Sequence, residues 1–272
     1  MNRVRTMVGT LSVLAVLAAL AVSSLHADIP PRDLEKIRTA APLDALAKPK
    51  KPRKVLVFSL ANEYRHKSIP WGAQAFRILG EKSGAYAAVL SDDPAMFDQD
   101  NLAQFDAVLF NNNCGNPVKD PKRRKNLLEF VKSGRGFVGI HCAAHLDWPE
   151  YTEMLGGYSI SHPWNSGSTV TVKLDDPAHP LVACFCRSSF LHTDEIFEFR
   201  DYSRDRLRVL LTEKRCQEPF CIDPVPARAG AHAAKRFLTP FFRDYLFRNT
   251  SFSYCWMSSS HAPPTGTSDF RQ

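Results

Sequence analysis

The stretch Gly134-Arg-Gly-Phe-Val-Gly-Ile-His-Cys-Ala-Ala144 decides how the whole chain is read. Gly134 and Gly136 turn the chain into a short apolar run, Phe137, Val138 and Ile140, which ends abruptly at His141, Cys142 and small residues. A buried parallel strand that runs into a tight strand-to-helix turn has this pattern. In open α/β sheets ligands bind beyond the carboxyl ends of the strands, so His141 and Cys142 stand at the rim of the expected site. Gly139 and Ala143 suit such a turn, where crowding leaves little room for a bulky Cβ. The plain alternative is an ordinary strand–helix junction with a half-buried histidine, and the segment by itself does not choose between them.

Working outward, residues 54–60 form a continuous apolar run that fits a strand covered on both faces. Residues 69–82 space Trp71, Ala75, Ile78 and Leu79 helically and stop near Gly84. Strands follow over 86–90 and 105–110, the latter breaking at Asn111-Asn-Asn-Cys-Gly115, and residues 121–132 read as a helix opened by Pro121 and stopped by Gly134. Strand and helix alternating with short connections imply right-handed crossovers and an α/β fold with a mostly parallel sheet flanked by helices. Beyond residue 145 the pattern changes. A short helix closed by Gly156 and Gly157 precedes an alternating strand over 168–174, a turn cluster from Asp175 to Pro180, and strands over 195–199 and 207–211.

The N-terminus has a positive flank (Arg3, Arg5), an apolar run over residues 7–22 and a small-residue exit, which together describe a secretory signal peptide over 1–27. The run is short for a span of about 20 residues. Export to the periplasm or medium is therefore expected, with membrane contact only through an uncleaved N-terminal segment. The formal net charge of +7 is concentrated outside the central part: residues 55–212 hold slightly more Asp and Glu than Lys and Arg. A basic face on the folded part is what nucleic-acid binding needs, so that class is set aside. Residues 28–53, with Lys48-Pro-Lys-Lys-Pro-Arg53, read as a basic Pro/Lys linker. The seven cysteines are odd in number and lack zinc-ribbon spacing, so no pairing is assigned.

Five motifs occur in order: Glu63-Tyr-Arg-His-Lys-Ser-Ile69, Gly139-Ile-His-Cys-Ala143, Tyr151 to Gly157 followed by His162-Pro163, Asp176-Pro-Ala-His-Pro180, and Thr193-Asp-Glu-Ile-Phe197. Together they resemble the ThuA family, named for trehalose utilisation, over residues 54–212. The resemblance implies a flavodoxin-like sheet related to class I glutamine amidotransferases, and a role in carbohydrate use. Those amidotransferases carry a nucleophilic Cys in a Gly-x-Cys-x-Gly turn. Here His141 holds the elbow and the thiol of Cys142 is one residue late, which argues against glutaminase chemistry.

The motif positions give the candidate site. His141, His66, His162, Glu195 and Asp194 are the candidate catalytic residues, because imidazole relays protons and a neighbouring carboxylate fixes its tautomer or shares the acid–base work. Strand-end loops of one parallel sheet converge on one face, which would assemble residues so far apart in sequence. Glu63, Trp148, Tyr151, Asn112 and Cys142 are the candidate substrate-binding residues, since sugars are held by aromatic surface and fixed polar groups. Trp148 and Tyr151 also have the plain reading of core side chains, and the asparagines that of a loop. A set of His66, His141 and His162 could hold a divalent metal such as zinc with an open position, although its spacing is permissive rather than diagnostic.

Residues 213–272 depart from the family pattern: a mixture of Pro, Ser, Phe and Arg without sustained periodicity, read as a divergent, poorly ordered tail that leaves a sheet edge uncovered. Two functions emerge. One is an exported, hydrolase-like enzyme acting on a small carbohydrate, trehalose- or keto-sugar-related. The other is a non-catalytic sugar-binding or inactive remnant domain.

Overall fold

In the computed structural model the described residues are 29–45, 47–182, 185, 188–214 and 255–258. The expected signal peptide and most of the divergent tail lie outside them. The central sheet contains β1 (Lys54–Phe58), β2 (Ala87–Ser91), β3 (Ala107–Asn111), β4 (Gly136–Ile140) and β10 (Cys255–Ser258), in the spatial order β10-β4-β3-β1-β2. The first four strands are parallel, with Val57 beside Leu90 and Leu109, and Leu109 beside Val138. This is the mostly parallel α/β sheet that the alternation predicts, and the flavodoxin-like fold that the resemblance implies. The order reverses between β1 and β3, so the crevice beyond their carboxyl ends is where this topology places a ligand.

Four helices belong to this layer: α1 (Pro31–Ala40), α2 (Ile69–Ser83), the short α3 (Gln99–Ala103) and α4 (Pro121–Lys132). α2 ends at Gly84 with φ 65°, a left-handed stop that costs glycine little. α4 is capped by Asp120, whose carboxylate accepts from the amides of Lys122 and Arg123, with Pro121 in the first turn. One face of the sheet buries Phe58, Phe110 and Phe137 with Phe97 and Phe105, and the rings of Phe58 and Phe97 meet edge to face at 4.8 Å. Each fully buried ring contributes about 1.5–3 kcal/mol through removal from water. The other face packs Val57, Leu109 and Ile140 against Ala73 of α2.

The expected basic linker requires a correction. Residues 31–40 within it form α1, whose fully buried Ile37 packs with Leu34 against Ala75 and Ile78 of α2. Only one narrow apolar stripe marks this helix, among charged neighbours, which is why composition alone reads it as linker. At the opposite edge β10 pairs antiparallel with β4, Cys255 beside Ile140. That edge is therefore partnered rather than bare.

Beyond β4, α5 (Pro149–Leu155) is closed by Gly156 at φ 82°. Two small antiparallel sheets follow: β5 (Tyr158–Trp164) with β8 (Ile196–Arg200), and β6 (Thr169–Leu174) between β7 (Ser189–Thr193) and β9 (Leu211–Lys214). The strand expected over 207–211 lies later: β9 begins at Leu211 and pairs with β6, Leu174 beside Leu211. Apolar residues at 207, 209 and 210 mimic a strand, while backbone pairing starts only where β6 offers an open edge.

Candidate functional site

The site begins at the end of β4, where His141 has φ 52°. A non-glycine residue in the left-handed region costs on the order of 1–3 kcal/mol and persists only where its surroundings fix it. They do so here. The next residues form a single 3₁₀ turn (His141–Ala144), and the Tyr151 hydroxyl, fully buried, donates to the carbonyl of Ala143 at 2.8 Å.

The loops after β1 and β3 are stitched to one another. The Asn113 amide donates to the carbonyl of Leu60 at 2.8 Å, the Asn112 amide to the Ser68 hydroxyl at 3.1 Å, and the Asn62 backbone amide to the carbonyl of Cys114 at 2.9 Å. Asn111, at the end of β3, donates to the Ser59 hydroxyl and to the carbonyl of Ile69. This lacing holds the segment that carries Glu63 and His66 over the end of the sheet. The exposed Glu63 lays its side chain across Gly115, where an added Cβ would meet its Cγ at 2.7 Å.

His66 thereby reaches the turn after β4: its Nε2 is 3.1 Å from Cys142 Sγ, and its ring meets that of His141 edge to face at 4.6 Å. The third contribution comes from the small sheets. Glu195 sits between β7 and β8, and its Oε1 is 3.2 Å from His162 Nδ1 while its Oε2 is 3.9 Å from His141 Nε2. His162 lies where the β5–β8 register slips between Ser161 and Trp164, an irregularity that re-aims a side chain. His66, His141, His162, Glu195 and Cys142 are thus brought together around one rim.

The electrostatics of these groups differ. Burial, with added repulsion from His66 and His162, lowers the His141 pKa from 6.5 to about 3, so this imidazole stays neutral. Burial also lowers that of His66, opposed by the negative charge of Asp194. The Cys142 thiol is pushed far up, by burial first and then by Cys114 and Glu195, so unassisted it is a protonated, poorly nucleophilic group. His141 is only 1% exposed, and neither of its ring nitrogens makes a hydrogen bond.

Several expected roles change. Trp148 and Tyr151 are core side chains: both are buried, stacked on each other at 5.2 Å, with Tyr151 also stacked on Phe110. Large aromatic surface goes to the core where a core is available. Asn112 is fully buried and acts in the loop lacing rather than at a surface. Asp194 parts from Glu195: it is 4% exposed, accepts from the Glu195 backbone amide at 2.8 Å and has Oδ2 3.6 Å from His192 Nε2. It shapes the turn that presents Glu195. The three-histidine metal set also changes, because the ligand atoms gathered within 4.8 Å of one another belong to His66, His141 and Cys142, and His162 pairs with Glu195 instead.

Sequence reasoning missed Phe197, Cys114 and His145. The Phe197 ring packs against His141 at 4.9 Å and His162 at 5.8 Å and forms the apolar wall of the rim. It stood inside the quoted Thr193 to Phe197 motif, so the signal was present. Cys114 acts on the Cys142 thiol across the ends of β3 and β4, a proximity that follows from pairing register and not from local sequence. His145 Nδ1 lies 2.9 Å from the carbonyl of Ser159 and ties the turn after β4 to β5.

Comparison with known proteins agrees with this architecture. The ThuA family model, described as trehalose utilisation, matches residues 54–237. No curated protein sequence matches significantly. Among solved structures, one described as a ThuA-like protein from Bacteroides uniformis ATCC 8492 is 20% identical, with TM-score 0.52, covering 62% of this chain and 71% of that one. Another, described as ThuA-like, from Parabacteroides merdae ATCC 43184, is 19% identical, with TM-score 0.45 and coverage of 60% and 68%. A third, described as a GMP synthase subunit from Thermoplasma acidophilum, is 12% identical, with TM-score 0.38 and coverage of 59% and 73%.

Proposed function

We propose a function from one premise, that this chain belongs to the ThuA family: it is an exported protein that hydrolyses a small carbohydrate, trehalose- or keto-sugar-related, at the rim formed by His141, His162 and Glu195. The observation that carries the reading is the Glu195 carboxylate set between two histidines of unlike character, a solvent-reaching His162 at 3.2 Å and a sealed, neutral His141 at 3.9 Å. Two titratable groups whose surroundings divide their roles are what acid–base hydrolysis requires.

Division of labour follows from exposure. His162, with 60% of its side chain exposed, can exchange protons with solvent and substrate, whereas His141 can only donate or accept a hydrogen bond as a neutral ring. In the proposed reaction Glu195 takes a proton from an attacking water, and protonated His162 gives one to the leaving sugar oxygen as the glycosidic C–O bond breaks. The sealed His141 does not reach substrate and acts only through Glu195, whose Oε2 it faces at 3.9 Å, and Phe197 limits water on its flank. The buried, protonated Cys142 thiol and the placement of His141 at the left-handed turn argue against glutaminase chemistry. Export rests on the N-terminal pattern of charge and apolar residues; among the described residues no helix is long and apolar enough to cross a membrane.

The test is a panel of trehalose and oxidised disaccharides given to the full chain, with product sugars measured directly and binding read by thermal shift. Product formation that disappears in His141→Asn, with the fold retained, supports the reading. Stabilisation by a sugar without product removes catalysis and leaves the binding-module alternative.

A further inference from the structure

Beyond the acid–base pair, the rim contains a second constellation. His66, His141 and Cys142 offer one ligand atom each, all within 4.8 Å of one another, with His66 Nε2 3.1 Å from Cys142 Sγ. Independently of that clustering, His141 is 1% exposed with neither ring nitrogen hydrogen-bonded. A polar ring sealed from water without a hydrogen-bond partner costs free energy, on the order of 1–3 kcal/mol for each such group, unless something accepts its lone pair. The left-handed backbone that aims it adds to this cost.

We propose that His66, His141 and Cys142 bind a zinc-type divalent cation, with the fourth position open toward Glu195. Three atoms no more than 4.8 Å apart leave a central point within about 2.8 Å of each, so shifts of about 0.5–0.8 Å give zinc–nitrogen and zinc–sulfur bond lengths. Two imidazoles and a thiolate are borderline and soft donors; they select zinc-class ions over magnesium or calcium, which prefer oxygen. Cys142 gives up its proton on binding, and the cation's charge stabilises the thiolate where burial otherwise disfavours it. A water in the open position faces the Glu195 carboxylate, whose Oε2 already lies 3.9 Å from His141 Nε2. The assignment replaces the three-histidine set expected from sequence, because His162 is held on the other oxygen of Glu195.

Cobalt(II) is the probe. The full chain, purified without chelator and freed of metal, is titrated with Co²⁺ and read by absorbance, with Zn²⁺ added afterwards as competitor. The expected result is one equivalent bound, a thiolate-to-cobalt charge-transfer band in the near ultraviolet, and displacement by Zn²⁺. Cys142→Ser abolishes the band and weakens binding at least about tenfold, and so does His66→Gln, a half-buried loop position. His162→Gln keeps both the band and the stoichiometry. Absence of the band in the parent chain, or its persistence in Cys142→Ser, overturns the proposal; six other cysteines make the latter control decisive. Because this experiment reads metal and not sugar, its failure leaves the Glu195–His162 hydrolysis to be judged by turnover alone.

Discussion

Glu195 Oε1 lies 3.2 Å from His162 Nδ1, joining the turn between β7 and β8 to the irregular strand β5. A carboxylate placed there fixes the ring and leaves Nε2 as the atom that can meet substrate. His162→Gln keeps a polar side chain of similar reach and removes proton transfer. It is expected to lower kcat about 10²- to 10⁴-fold on a sugar that the parent chain turns over. An undiminished kcat would take His162 out of the reaction.

The buried neutral His141 makes stability depend on pH in a defined direction. Its pKa falls from 6.5 to about 3 on folding, so between those values the unfolded chain binds a proton that the folded chain refuses. Stability is complete above about pH 6.5 and is lost as the pH falls toward 3, at up to about 1.4 kcal/mol per pH unit from this group. His66, lowered in the same sense, adds to the slope. Denaturant unfolding of the metal-free chain, measured from pH 7 down to about 4.5, should show this loss, and His141→Asn, whose side chain tolerates the left-handed turn, should reduce the slope. Equal slopes in the two chains would show that His141 is not buried as described.

Tyr151 supports the turn from below. Tyr151→Phe leaves the Ala143 carbonyl without its donor in a sealed environment and should cost about 1–3 kcal/mol. Calorimetry should register a fall in Tm of about 2–4 °C per kcal/mol for a domain of this size. An unchanged Tm would mean that the carbonyl finds another partner.

Gly72 lets α2 approach β3: a Cβ there would meet Asn111 Oδ1 at 2.5 Å. Gly72→Ala should displace the amide that bonds to Ser59 and Ile69 and destabilise the chain by about 1–3 kcal/mol, measured by chemical denaturation. Gain of stability, as expected for Gly to Ala in an open helix, would refute the close contact.

What was legible in the chain depended on the range of the signal. The parallel sheet could be read because Val55 to Phe58 and Phe137 to Ile140 are apolar runs bounded by turn residues, and α4 because Asp120, Pro121 and Gly134 punctuate it. The meeting of His66 and His141 followed from strand-end topology, whereas His162 and Glu195 arrive from the small antiparallel sheets and not from further strand ends of the parallel one, so only motif order linked them to the site. The metal-ligand set followed from neither, because whether His162 or Cys142 joins the two other histidines is settled by the slipped register of β5 and the height of the turn after β4, neither of which leaves a local pattern. α1 and β7 were missed for the same reason: their apolar stripes are narrow, and tertiary partners, α2 and β6, make them helix and strand.

The central claim is that the Glu195 carboxylate does chemistry on a sugar, and its most direct measurement is the steady-state hydrolysis of the panel sugars by the parent chain and by Glu195→Gln. The substitution preserves shape and removes the base. A kcat lowered about 10²- to 10⁴-fold with KM nearly unchanged and the circular dichroism spectrum intact is the predicted result. Hydrolysis at the parent rate by Glu195→Gln would contradict the account.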